Sequence, residues 1–462
     1  MLKINFRMII LILVLIYPNS VLALLGKKNI DIVEWKCPVP RFTDMNLKLN
    51  NVVELIGDGQ LILLLPPTKM DLWTQGTVKS YEDVRYSSAM AVINQPVDVV
   101  GRRILSIDGA LKALPQLKKI EPIAMNDHHL MVKFYQEYDL GAFALKSLFY
   151  WQYTADANGD LCALLHKGDV DAGVSRMEFI PVSENQTLLV MTHWQDLSTA
   201  SFFYRLMINS NPETKFTLLP IAASAVVQSF KELFSTESEK EHVKPLYKGK
   251  QDIPLFSTKP ELKDTLYKLA QIGTPTFLHP PQKYDDHGIE KNLQFATGVQ
   301  VYPASFSTAK PYIWDIKSMP EYFTQFDEVK EKIREDNDKE IFIKAKYGVG
   351  LMKLTLNLSF DYVVNNDHVV YFQNPKGDVL VLGAEELVEV ESESNGPNTI
   401  QIYTAGSLIG EDAPWLVKYL ERSLPQVDLM RNVGLALMRV EQQLPWMIEK
   451  LNEEKVLISK GN

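Results

Sequence analysis

Residues 350–364 alternate apolar and polar side chains almost without a break. Met352, Leu354, Leu356, Leu358, Phe360 and Tyr362 fall on one face, and Lys353, Thr355, Asn357, Ser359 and Asp361 on the other. A period of two predicts a strand with one buried face. At an offset of 209 positions, Phe143, Leu145, Ser147, Phe149, Trp151 and Tyr153 hold the matching face. The Lys-Gly-Asp-Val motif at 167–170 recurs at 376–379 with the same offset. A shared motif, offset and buried face predict one fold used twice.

The rest of the pattern supports two copies. In the first, short apolar strands are expected at 59–65 and 84–94. A helix follows from Pro96, which the first helical turn tolerates, and a shorter one ends before Pro115. Six strands then fall at 118–123, 130–138, 142–154, 161–166, 170–181 and 187–197, with Asn158-Gly159 as a hairpin turn. From Ser198 the period changes to a helical one. A long C-terminal helix is expected to run to 234, broken near Pro212 and Pro220. The same order returns at 293–302, 303–312, 318–323, five strand stretches between 341 and 407, and a helix over 412–452 whose apolar stripe is Leu429, Val433, Leu437, Val440 and Leu444. The Pro-Pro pair at 66–67 recurs at 280–281, 214 positions on. The charged stretch 235–250 marks the boundary. The organisation is therefore 1–23 signal peptide, 24–51 leader, 52–235 first domain, 236–263 linker and 264–455 second domain.

Composition narrows the partners. The 462 residues carry a formal charge of -9, which argues against a nucleic-acid partner and an anionic membrane surface. Lys3 and Arg7 precede an apolar segment at 8–17, and Val21-Leu22-Ala23 fits a cleavage site. An exported protein, periplasmic or secreted, is expected. The apolar segment is shorter than the roughly 20 residues of a spanning helix, so no stable anchor is expected, with an uncleaved anchor as the rival reading. Asn185 and Asn357 head glycosylation acceptor triplets, meaningful only in a eukaryotic secretory path. Cys37 and Cys162 are the two cysteines. They can pair in an oxidising compartment or remain two thiols, and geometry alone decides. Two cysteines and scattered histidines lack zinc spacing; neither a metal nor a cofactor is expected.

The run 91–100, read as a strand entering a helix, the short helices at 111–117 and 319–323, and the closing helices together resemble the START-like, or SRPBCC, superfamily. The likeness is to its polyketide cyclase/dehydrase and coenzyme-Q-binding-like members. It covers about 84–234 and 293–451, and leaves 51–83 and its twin unexplained. The resemblance implies an α+β protein of two tandem helix-grip domains, each a curved antiparallel sheet wrapped around a long C-terminal helix. It also implies an apolar cavity holding a lipid, isoprenoid, sterol or polyketide. Phe143, Phe149, Trp151, Leu354, Leu356, Leu358 and Phe360 are the candidate lining. The same residues can equally fill a solid core.

Polar candidates are few. His193 shares parity with Leu189 and Met191, and Ile400, Ile402 and Thr404 are taken as the matching face of the second copy. Asp171 and Glu386 fall on the expected inner parity of the strand after the twin motif. A histidine or buried carboxyl there is a candidate acid or base. No nucleophile elbow, phosphate loop or metal-binding histidine pair is present. Three functions fit: a carrier or sensor of an apolar ligand, a cyclase or dehydratase-type enzyme, and an interaction module with filled cavities.

Overall fold

The structure is a computed structural model, and it describes residues 32–139, 144–200, 214–235, 244–256, 259–335, 338–349, 352–374, 377–392, 396–413, 418 and 427–461. The expected signal segment and Phe143 lie outside the described residues, as does the side chain of Leu354. The chain divides into two compact units, one of residues 1–205 and 222–242, the other of 206–221 and 243–462.

The first unit begins with an extended segment and helix α1 (Leu49–Ile56). Strand β1 (Gln60–Leu64) and the hairpin β2 (Thr68–Thr74) and β3 (Thr77–Val84) follow. Gln75 and Gly76 close the hairpin with positive φ at both central positions, as tight two-residue turns require. Next come β4 (Ser87–Ile93), α2 (Val97–Ile104) and α3 (Ile107–Ala113). Six antiparallel strands complete the sheet: β5 (Leu117–Met125), β6 (His129–Asp139), β7 (Ala144–Ala155), β8 (Leu161–Lys167), β9 (Gly173–Ser183) and β10 (Gln186–Gln195). Within the unit the spatial order is β5-β6-β7-β8-β9-β10-β4-β1. Helix α4 (Thr214–Glu232) follows, and its part from Ala222 counts with this unit.

The second unit repeats the plan. It contains α5 (Lys263–Ile272), β11 (Thr274–Leu278), the hairpin β12 (Gln282–Asp286) and β13 (Ile289–Leu293), and β14 (Phe295–Tyr302). His287 and Gly288 turn its hairpin with positive φ, as Gln75 and Gly76 turn the first. Then follow α6 (Phe306–Ile313), α7 (Met319–Tyr322) and six strands: β15 (Phe326–Glu335), β16 (Asp338–Val349), β17 (Met352–Asn366), β18 (Val369–Asn374), β19 (Val379–Ser392) and β20 (Gly396–Ile409). Helix α8 (Val427–Gly461), 35 residues long, packs on β11, β14 and β20. Both units thus carry the order of a strand, two helices and six antiparallel strands. The stretch that the resemblance left unexplained is a helix, a strand and a hairpin, built in both units at the 214-residue offset of the Pro-Pro pair.

The described part of the twin motif is tied to the second strand before it, β7 in the first unit and β17 in the second. Ser147 Oγ donates to the Asp169 carboxylate, and the Asn357 amide donates to Asp378 Oδ2 at 3.2 Å. A side chain at Gly168 would collide with the Phe149 ring.

The face of each sheet turned away from its interior is covered by a preceding segment. In the first unit Cys37 is disulfide-bonded to Cys162 on β8, with Cα atoms 6.1 Å apart. Gln152 exchanges two hydrogen bonds with the Val33 backbone. The Phe42 amide donates to Glu178 at 2.7 Å, and Arg176 Nε donates to the Val39 carbonyl at 3.0 Å. In the second unit the Phe256 amide donates to Glu386 at 2.8 Å. Phe42 and Phe256 are 214 positions apart, so this strap repeats as well. A buried carboxylate needs such donors, and an extended segment has amides free to supply them. Among the described residues no helix is long and apolar enough to cross a membrane.

Candidate functional site

The interior of the second unit has two apolar clusters. One gathers Ile341, Ile343, Tyr362, Val370, Phe372 and Val381 from the sheet, with Leu356, Leu358 and Phe360 packed against it. The other joins Tyr302, Ile313, Tyr322, Leu387, Trp446 and Met447. Trp314, Met319 and Phe326 pack against both. Polar side chains gather within this apolar setting.

Arg439 supplies the positive charge. It stands one helical turn from Gln443 on the buried arc of α8. The helix runs close to the sheet because β14 carries Gly298, where a Cβ would stand 2.4 Å from the Ala436 carbonyl oxygen. One terminal nitrogen of Arg439 donates to Glu385 at 3.0 Å and to the Ile313 carbonyl at 2.9 Å. The other donates to the Tyr322 hydroxyl at 2.8 Å. Gln401 Nε2 donates to Glu385 at 2.5 Å and to Gln443 Oε1 at 2.9 Å, and the Tyr302 hydroxyl donates to Gln401 Oε1 at 2.7 Å. The guanidinium lies 5.7 Å from the Tyr403 ring centre and 5.9 Å from that of Tyr322.

The electrostatics follow from burial. Burial lifts the Glu385 carboxyl above its ordinary range, while Arg439 and Gln401 pull it back. Burial alone would lower Arg439, but Glu385 and the surrounding tyrosines raise it further, so the guanidinium stays charged. Burial also raises Tyr302, Tyr322, Tyr362 and Tyr403, keeping all four as neutral phenols. The Tyr362 hydroxyl and Arg439 Nε have no hydrogen-bond partner here, as is true of other buried side-chain atoms among the described residues, Trp314 Nε1 of the neighbouring wall included. The cluster is charge-paired, mostly hydrogen-bonded and enclosed by apolar walls.

The polar residues singled out from the sequence lie elsewhere. His193 is buried on β10, level with Ser87 and Ser175 on the neighbouring strands. Its expected counterpart face is shifted by one. The bonded pair Ser88–Thr192 matches Thr297–Thr404, so His193 corresponds to Ala405. Asp171 is not in a strand at all. It sits in the bend before β9, its amide donating to Thr199 Oγ1 at 2.9 Å. Glu386 is on the opposite face of β19 from Glu385, under the Phe256 strap. Parity misassigned it because β19 is apolar on both faces: Val379 and Val381 turn to the interior, Leu380, Leu382 and Ala384 to the strap. Phe149 and Trp151 pack against Leu165, Val170 and Ala200. A cavity of about 20 Å³, room for a single water, is lined by residues including Tyr247, Ile253, Val363 and Tyr371. Among the described residues no group of His, Cys, Asp or Glu is arranged to hold a metal ion.

Arg439, Glu385, Gln401, Gln443, Tyr302, Tyr322 and Tyr403 were not singled out as site residues in the sequence, and Tyr362 was placed only on a buried strand face. One signal was available. Asn432, Arg439 and Gln443 recur at helical spacing within the inward stripe of α8, where apolar residues are the rule.

The Thr192–Thr404 match also shows what the first unit has at these places. Met191 stands for Tyr403, Leu189 for Gln401 and, across the paired strands, Met177 for Glu385. The ionic cluster belongs to the second unit.

No protein-family model matches the chain, and no curated protein matches it. Solved structures do. The di-domain ARO/CYC StfQ from the steffimycin biosynthetic pathway aligns over 78% of this chain and 99% of its own, at 12% identity and a TM-score of 0.24. The human StarD13 lipid transfer and protein localization domain aligns over 37% of this chain and 90% of its own, at 12% identity and a TM-score of 0.26. A STAR-related lipid transfer protein from Xanthomonas axonopodis covers 37% and 93%, at 10% identity and a TM-score of 0.24. These superpositions are loose. The order of elements, present twice, stands on this chain's own strand pairing.

Proposed function

We propose that the protein is exported and holds an apolar small molecule as a carrier or sensor, with the second unit as the binding unit. The carrying observation is the buried cluster on Arg439 and Glu385, set among apolar walls, in which the Tyr362 hydroxyl and Arg439 Nε lack partners. A ligand oxygen would satisfy these donors. Export is supported by the charged-then-apolar start of the chain and by a disulfide suited to an oxidising compartment. Native mass spectrometry of protein purified from its own compartment tests the reading. The expected result is a bound lipid-like mass that is lost on denaturation. Protein that stays ligand-free and displaces no apolar fluorescent probe overturns it.

A second reading, an interaction module with filled interiors, is favoured by the packing of Leu356, Leu358 and Phe360 against the core cluster. Under that reading no ligand co-purifies, and a protein partner does.

A further inference from the structure

We propose that the outer edge of the β2–β3 hairpin is a docking surface for the chain's own residues 29–31, which lie outside the described residues and would add to β2 as a third, parallel strand. The second unit shows the pairing. There the Lys283 amide donates to the Pro245 carbonyl at 2.8 Å and the Tyr247 amide donates to the Lys283 carbonyl at 2.8 Å, so residues 245–247 run parallel to β12. These residues lead into the strap, 9 to 11 positions ahead of Phe256. Residues 31–33 stand at the same distance ahead of Phe42.

The first unit has the matching edge without the pairing. A tight two-residue turn closes on a hydrogen-bonded pair, here Thr74 and Thr77. Leu72 and Thr74 therefore face β3, and Asp71 and Trp73 turn their backbone groups to the outer edge. The same count in the second hairpin, from the Asp286–Ile289 pair, turns Lys283 outward, as its bonds require. Among the described residues no backbone group pairs with Asp71 or Trp73 on that side, and Lys69 and Asp71 are exposed. An unpaired edge is a template for strand pairing between chains.

The strap begins beside this edge. Val33, the counterpart of Tyr247, gives both its amide and its carbonyl to Gln152. At the 209-residue offset the second unit has Asp361, which has no amide to donate and pairs with Arg334 at 2.8 Å. Gln152 bonds His166 at 2.9 Å, and the His166 ring lies 4.6 Å from that of Trp73 on β2. With Val33 taken by Gln152, pairing along β2 falls to the residues just before it. Strand β2 has seven residues against five in β12, so its edge extends further along them. The run Asn29-Ile30-Asp31-Ile32-Val33 is rich in β-branched side chains, which suit a strand.

The test is residue-resolved amide hydrogen exchange on the full chain from Leu24 and on a chain trimmed to begin at Ile32, which keeps every strap contact described above. The Asp71 and Trp73 amides are expected to exchange about tenfold or more slowly in the full chain than in the trimmed one. The Leu72 and Thr74 amides, bonded within the hairpin, are expected to match in the two chains, which verifies that the hairpin is folded in both. Fast exchange of Asp71 and Trp73 in the full chain overturns the proposal by itself, with no variant involved. Protection that survives trimming also overturns it. Independent of protein concentration, such protection assigns the edge to other residues of the chain; rising with concentration, it assigns the edge to a second copy. Neither outcome bears on the ligand-holding reading, which stands on the second unit's interior.

Discussion

At the residue scale, the polar groups buried under the leader show how costly an isolated charge is. Arg176 is 5% exposed and bonds Asp160 at 2.8 Å, the Asp156 carboxylate and the Val39 carbonyl. Arg41 reaches the same Asp160 at 2.7 Å. Burial raises the Glu178 carboxyl, which the Phe42 and Thr43 amides partly offset. Replacing one member of such a set leaves the others buried and uncompensated. Arg176→Met is therefore expected to lower unfolding stability by about 3 kcal/mol, read from urea midpoints. A loss below about 1 kcal/mol would mean that water enters to solvate the two aspartates.

At the scale of elements, each sheet has two covered faces, and the strap supplies the second. Its repetition explains why buried Glu178 and Glu386 stand where an open sheet would show solvated carboxylates. In the first unit the disulfide ties the strap to β8 across a sequence separation of 125 residues. A loop of that length restricts the unfolded chain strongly, by about 5 kcal/mol in the chain-entropy account. Reduction, or Cys37→Ser, is expected to lower the stability of the first unit by that order. Hydrogen exchange should then rise first along the outer faces of β8 and β9. Unchanged protection of those strands after reduction would show that the ionic contacts hold the strap by themselves.

At the scale of the whole molecule, pH acts through enclosed histidines. His166 bonds Gln152 Oε1 at 2.9 Å, and His279 bonds Thr297 Oγ1 at 2.7 Å. Burial pushes both rings down to about 4, with Lys259 adding to the effect at His279. An unfolded histidine titrates near 6.5. Between these values the unfolded chain binds more protons than the folded one, so stability falls as pH drops through that window and is level above it. Allowing for partial solvent access, His279 contributes about 2 kcal/mol of this loss. Urea midpoints at pH 7 and pH 4.5 measure it, and His279→Gln should flatten the difference. An equally steep slope in that variant would assign the acid sensitivity to other groups.

Local periodicity was enough to reveal most of the strands and the doubling, because alternation and helical spacing are properties of neighbours along the chain; it missed β15, whose charged side chains hide the alternation, and the hairpins β2–β3 and β12–β13. The clean alternation of Thr355–Tyr362 and the offset of the Gly-Asp motif carry that information openly. Which face of a strand meets the interior was another matter. On β19 both faces are apolar, so Glu385 and Glu386 look alike in sequence, and only the positions of α8 and the Phe256 strap assign them opposite roles. The same holds for Arg439. Its charge is unremarkable along the chain and becomes significant only when four tyrosines and a carboxylate, drawn from distant strands and helices, enclose it. A buried ion pair depends on contacts between segments far apart in sequence, and tertiary packing alone creates those.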